Sequence, residues 1–161
     1  MTTLIPIRAE HFSAFAELAN AGYAQDNVLS GRWPSAEAPA LARAEFEQLL
    51  PQGPATPNHC VYEIQDMSTG ETVGYLWFAV VGASDARSAF IYNITVKQSF
   101  RRRGHAKAAL LWLERFAKAQ GLASIRLNVF AHNPDAQALY CVLGYETTSM
   151  NMRKVVRVDE A

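Results

Sequence analysis

Three consecutive arginines and a glycine, Arg101-Arg102-Arg103-Gly104, are the residues whose types and spacing most directly suggest chemistry. They stand between a β-branched run, Phe90-Ile91-Tyr92-Asn93-Ile94-Thr95-Val96, and an apolar-periodic segment that opens at His105-Ala106-Lys107. A strand, a tight turn and a helix start in that order bring backbone N–H groups, positive charge and the positive end of a helix to one point. Such a point binds phosphate or pyrophosphate. Gly104 permits close backbone approach, and Ala106 keeps the first turn small. The lysine and Ser/Thr of a P-loop are missing, which sets aside a nucleotide site of that kind.

A second set lies downstream. Asn133-Pro134-Asp135 is a helix opening, with a capping side chain, proline at the first helical position and an acid in the first turn. Tyr140 follows Asn133 by seven residues, which at about 100° per residue returns to nearly the same face, roughly 10.5 Å along the helix. A tyrosine of ordinary pKa near 10 can donate a proton to a thiolate, whose conjugate acid titrates near 8.5. Cys60 and Cys141 are far apart and lack metal-ligand spacing. They are expected to be buried free thiols, and no metal site is expected.

These residues must be positioned by a specific order of elements. Leu4–Ile7 reads as an edge strand, because Pro6 cannot donate to a ladder. Helical spacing of Phe12, Phe15, Ala16 and Ala19 predicts a helix over about Ala9–Tyr23, followed by a polar loop from Asp26 to Pro34. Ser35 is the expected N-cap of a second helix running to Leu49 or Leu50 and stopped by Pro51. Strands are predicted over Cys60–Gln65, Thr72–Val81 and Ser88–Val96, joined by short loops as an antiparallel meander. A helix over Gly104–Gln120 leads to a strand with Ile125, Leu127 and Val129 on one side. This is a βαβ unit, so its two strands are expected to be parallel. After the Asn133–Gly144 helix, Tyr145–Thr148 and Met150–Val158 are predicted as a closing strand pair.

Arg101-x-x-Gly104-x-Ala106, together with Leu127-Asn128-Val129-Phe130-Ala131-His132-Asn133-x-x-Ala136-x-x-Leu139-Tyr140-x-x-x-Gly144-Tyr145, resembles the GCN5-related N-acetyltransferase (GNAT) superfamily. The resemblance covers roughly residues 60–157; the first helices match only in kind. It implies an α+β fold with a mixed, mostly antiparallel sheet of six to seven strands, flanked by about four helices. One parallel crossover would splay to hold acyl-CoA. It further implies that residues 1–161 are a single domain, with 1–57 as variable acceptor-side helices and 58–157 as the CoA-binding core and closing strands.

The resemblance also assigns roles. Backbone groups of Ile94, Thr95 and Val96 would meet the pantetheine and thioester carbonyl, where they would also stabilise an oxyanion. Arg101, Arg102, Arg103, Gly104, His105, Ala106 and Lys107 would hold the pyrophosphate. Asn133 would touch the pantetheine arm, and Tyr140 would act near sulfur as the catalytic proton donor. The implied activity is transfer of an acetyl group from acetyl-CoA to a primary amine by direct attack. Cys141 is offset about 100° from Tyr140 on the helix, which argues against an acyl-cysteine intermediate.

The base is where the sequence departs from the family. Relatives often carry a carboxylate where this chain has Asn93, Thr95 or Asn128, none of which takes a proton near neutrality. Three routes stay open: an ordered water chain, an α-amine acceptor needing little help, or a base from elsewhere among His59, His132 and Glu45. The alternative from another class is an acyl-CoA-binding module or sensor without catalysis. Asp26, Arg32 and Trp33 are candidates for the acceptor site, whose ligand the sequence does not name.

Fifteen basic and fifteen acidic side chains give a formal net charge of zero, so no nucleic-acid partner is implied. No apolar run approaches the roughly 20 residues of a membrane helix. With no secretory leader, a cytoplasmic location is expected. Relatives often pair through their last strands, so the resemblance carries the expectation of a homodimer.

Overall fold

The computed structural model describes residues 1–157. At its centre lies a five-stranded sheet in the order β1 (Thr2–Pro6), β2 (His59–Asp66), β3 (Thr72–Val81), β4 (Ser88–Val96) and β5 (Ser124–Leu127). Short loops join β2, β3 and β4, which therefore pair antiparallel. The β4–β5 connection runs through α3 (His105–Ala119) and makes a parallel pair. β1 is an edge strand that pairs only with β2 and ends at Pro6.

Strand alternation sends side chains to both faces of the sheet, and both faces are covered. On one, Ile64, Val73, Leu76, Phe78, Ala89 and Ile91 pack against Ala109, Leu110 and Leu113 of α3. On the other, Val61, Tyr75 and Trp77 meet Phe15 and Ala19 of α1 (Phe12–Leu29) and Phe46 of α2 (Ala38–Leu49). Two-sided burial explains why Val73–Val81 is nearly all apolar rather than alternating. Each large side chain so buried contributes about 1.5–3 kcal/mol. The fourth helix, α4 (Pro134–Val142), has no fully buried residue and lays Leu139 and Tyr140 along the margin of the α3 core.

The structure corrects the sequence reading at four places. The first helix continues past Tyr23 to Leu29, through residues expected in a loop. Asn27 is tolerated there because it is fully buried yet satisfied: its Nδ2 donates to the Tyr23 carbonyl at 2.8 Å, and its Oδ1 accepts from Arg32 at 3.1 Å. Ser35 does not cap α2. The helix starts at Ala38 with Pro39 in its first turn, after a turn in which Glu37 N–H donates to the Pro34 carbonyl.

The strand after α3 stops at Leu127 instead of Val129. Finally, five strands form among the described residues rather than six or seven: Tyr145–Thr148 and 150–157 join no sheet, and Val158 lies outside the described residues. Strand propensity expresses a fit to a paired neighbour. Here β5 is only four residues long, and Met150, Met152, Val155 and Val156 stay exposed.

Candidate functional site

The register of β3 and β4 shifts at one point: Trp77 pairs with Asn93, but Phe78 pairs with Ile91, so Tyr92 is an extra residue on β4. A bulge of this kind bends its strand. Parallel pairing with β5 ends at the same place, its last pair being Ile91 and Leu127. Beyond it, Asn93–Val96 keeps β3 on one side and has no strand on the other. Alternate backbone N–H and C=O groups of this stretch therefore face a gap rather than a ladder.

The bulge also moves Tyr92 out of phase with Ile94. Alternation alone places both in the core. In the structure Ile94 packs toward α3, whereas Tyr92 stacks on Trp77 with centroids 4.8 Å apart and is 36% exposed. Asn93 and Thr95 are half-buried, and the Thr95 hydroxyl donates to the Asn93 amide oxygen at 3.0 Å. Neither side chain of this neutral pair takes a proton near neutrality.

Gly74, which sequence reasoning missed, lies opposite Val96. A Cβ there would come within 2.2 Å of the Thr95 carbonyl oxygen. The available signal was a glycine interrupting an otherwise bulky strand, which marks close backbone approach.

At the end of β4 the three arginines take three different postures. Arg101 Nε donates to the Val96 carbonyl at 3.0 Å, tying the turn to the strand end. Arg102 has a positive φ of 62° and reaches Asp135 at the start of α4, 3.3 Å away. The Arg103 guanidinium lies 5.4 Å from the centre of the Phe100 ring. Gly104 is the N-cap of α3 at φ 84°, and nothing lies within 4 Å of where its Cβ would be.

The first intrahelical bond runs from Ala108 N–H to the Gly104 carbonyl, leaving the N–H groups of His105, Ala106 and Lys107 without helical acceptors. This cluster can receive an anion. The His105 side chain belongs elsewhere: it is buried, with Nδ1 2.9 Å from the Thr2 hydroxyl and Nε2 without a hydrogen bond, 3.9 Å from Asp66 Oδ2. Its contribution to an anion site is its backbone alone.

Asn133 caps α4 by accepting from Ala136 N–H at 3.2 Å, and it is exposed. Tyr140 is half-buried, in contact with the Tyr145 ring at 5.3 Å, and burial pushes its phenol above the ordinary value. Burial first, then the neighbouring Tyr140, pushes Tyr145 up to about 12. Both remain protonated through neutral pH, the state a proton donor requires.

The candidate bases are distributed differently. Glu45 accepts from the Tyr23 hydroxyl at 2.7 Å and from Arg32 at 3.2 Å, so it locks α1 to α2. Arg32 and Trp33 belong to the same lock, with the guanidinium 4.9 Å from the Trp33 ring centre. His59 Nδ1 accepts from Trp77 Nε1 at 3.0 Å, and burial lowers the histidine's pKa. His132, on the connector before α4, meets Asp26 of α1 at 2.9 Å. Two residues singled out separately in the sequence are thereby brought together.

A hollow of about 410 Å³ lies between α1 (Ala14, Glu17, Leu18, Ala21) and Tyr75 with Lys97. Tyr75 is the cross-strand partner of Thr95, so this hollow opens on the Asn93–Thr95 face. A larger one of about 970 Å³ separates α1 from α2 and has no lining residue on β4, α3 or α4. Cys60 is half-buried with its thiol pKa raised by burial, while Cys141 is exposed, contrary to the expectation that both are buried. No cluster of three or more metal-ligating side chains occurs among the described residues, and none of their helices is long and apolar enough to cross a membrane.

Comparison with known proteins places this geometry in context. The family model described as acetyltransferase (GNAT) family matches residues 24–145. Two Bacillus subtilis proteins named uncharacterized N-acetyltransferase are similar over nearly the whole chain. YdgE is 34% identical over 152 residues, covering 94% of this chain and 96% of that protein. YycN is 32% identical over 151 residues with the same coverages. The crystal structure of YycN superposes with a TM-score of 0.92, covering 98% of this chain and 100% of that one, at 31% identity. An aminoglycoside N(6')-acetyltransferase type 1 from Serratia marcescens is 28% identical over 124 residues, 72% of this chain and 79% of that protein. The extent of the family match and these near full-length relatives identify the chain as a member of the GNAT acetyltransferase family.

Proposed function

We propose that this chain transfers the acetyl group of acetyl-CoA to a primary amine by direct attack within a ternary complex. The observation that carries the reading is the open edge of β4 at Asn93–Val96, flanked by the Gly104 turn on one side and by α4 on the other. In this proposal residues 1–161 act as one domain. The N–H groups at His105–Lys107 and the arginines at 101–103 hold the pyrophosphate, and Asn133 meets the pantetheine arm. Backbone groups of Ile94–Val96 receive the thioester carbonyl and the oxyanion that forms from it. Tyr140 returns a proton to the departing thiolate.

The names of YdgE and YycN support nitrogen as the accepting atom. The acceptor is a small amine or a protein N-terminus or lysine. The name of the Serratia relative makes aminoglycosides a sensible part of the first panel.

The test is CoA-thiol release against a panel of amines, aminoglycosides and peptide N-termini, beside CoA binding by calorimetry. Turnover on at least one amine is expected, and Gly104→Glu is expected to abolish CoA binding by placing a carboxylate where the pyrophosphate would lie. Unchanged CoA affinity in that variant would remove the pyrophosphate assignment. Tight CoA binding with no turnover on any amine would favour an acyl-CoA-binding module instead.

A further inference from the structure

We infer that His132 is the proton acceptor of this cleft and that Asp26 orients it, an assignment that rests on the acetyltransferase reading above. The positions on β4 and after β5 where a carboxylate would serve hold Asn93, Thr95 and Asn128, and the first two are hydrogen-bonded to each other. Glu45 is committed to Tyr23 and Arg32. Glu63 is committed to Arg8 and Thr72. His59 uses its Nδ1 lone pair on Trp77, so its remaining nitrogen carries the proton. His105 is buried against β1.

His132 differs from all of these. Its Nε2 lies 2.9 Å from Asp26 Oδ1. A carboxylate only accepts, so Nε2 carries the proton and Nδ1 keeps a free lone pair. Nδ1 has no hydrogen-bond partner among the described residues. The ring is held by stacking on Phe130, with centroids 5.2 Å apart. The two side chains are 31% and 40% exposed, which leaves the pair open to an arriving substrate.

His132 precedes Asn133 on the connector from β5 to α4, five residues past Leu127, where pairing with β4 ends. Asp26 stands in the last turn of α1, so the pair ties that helix to the connector before α4. The other charged groups on the two helices that meet here are Asp135, already paired with Arg102, and Glu17, more than two turns before Asp26 and lining the hollow beside Tyr75 and Lys97.

The step balances as follows. The lone pair of a neutral amine bonds to the thioester carbonyl carbon, and the C=O π pair moves to oxygen. The nitrogen loses a proton to His132 Nδ1, and Asp26 stabilises the imidazolium. Collapse breaks the C–S bond, and sulfur takes the Tyr140 proton. Exchange with water then restores the imidazole and the phenol, leaving amide and CoA thiol.

The experiment is the pH profile of kcat/KM for wild type, His132→Gln and Asp26→Asn on one amine, with CoA affinity measured alongside. His132→Gln is expected to lower kcat/KM about 10²- to 10³-fold, to lose the acidic limb of the wild-type profile, and to bind CoA as before. Asp26→Asn should give a smaller loss and shift that limb. In His132→Ala, added imidazole should restore part of the rate. Turnover in His132→Gln with an unchanged profile, or loss of CoA binding along with turnover and no imidazole rescue, overturns this assignment alone. A wild-type chain that turns over no amine overturns the acetyltransferase reading and this assignment with it.

Discussion

Arg102 Nη2 lies 3.3 Å from Asp135 Oδ2, joining the turn before α3 to the first turn of α4 across the mouth of the candidate cleft. The two side chains are 83% and 75% exposed, so the pair is worth at most about 1 kcal/mol and is screened by salt. In the proposed complex an incoming phosphate would compete with Asp135 for Arg102. Asp135→Asn is expected to tighten CoA binding about two- to fivefold at low salt, consistent with an exposed pair of that strength, and the gain should fade at high ionic strength. Calorimetric titration of CoA at two salt concentrations checks this.

Gly74 supports the opposite wall. Because a Cβ at this position would meet the Thr95 carbonyl oxygen, Gly74→Ala must push β3 and β4 apart at the open edge. Overpacking of this kind costs about 1–3 kcal/mol. The variant should unfold at lower denaturant and also bind acetyl-CoA more weakly, because the same displacement moves the Ile94–Val96 backbone. Weakened folding with unaltered CoA affinity would separate this edge from the cofactor.

Tyr140 is half-buried at the margin of the α3 core, beside the Tyr145 ring. Tyr140→Phe keeps the ring and removes only the hydroxyl, so CoA affinity should stay within about twofold while kcat falls about 10²- to 10⁴-fold, the range of general acid catalysis. Since burial raises the phenol pKa, wild-type turnover should hold through mildly alkaline pH, with loss only above the ordinary tyrosine value near 10. Single-turnover kinetics across that range provide the measurement.

Glu63 anchors the sheet face behind the site. Burial pushes its carboxyl up, but hydrogen bonds from Arg8 and Thr72, with His11 alongside, outweigh that and bring it to about 2. The folded value lies below the roughly 4.3 of a free glutamate. Its contribution is therefore complete above about pH 4–5 and is lost as pH falls through about 2. Glu63→Leu removes the charge-assisted hydrogen bonds from Arg8 and Thr72 and should cost about 1–3 kcal/mol. Urea unfolding at a series of pH values should show an acid-dependent loss in wild type that is flattened in the variant.

Local order along the chain was legible in the sequence because near neighbours decide it. The strand–turn–helix at 90–107, the Asn133 cap and the positive-φ Gly121 and Gly144 that end their helices follow from periodicity, capping and φ preferences within a few residues. That was enough to specify a basic turn at the start of α3 and the placement of Asn133 and Tyr140 on α4. Tertiary packing decided the rest. The Tyr92 bulge depends on how β4 matches β3, and it puts Tyr92 and Ile94 on opposite faces of the sheet. The expected closing strands are absent from the described sheet because a ladder needs a partner edge, which no propensity supplies. Asp26 and His132, 106 positions apart, meet only because α1 runs on to Leu29 and β5 stops at Leu127. The turn at Arg101–Gly104 is thus a local product of the sequence, whereas the open edge beside it and the histidine–aspartate pair come from contacts between distant segments.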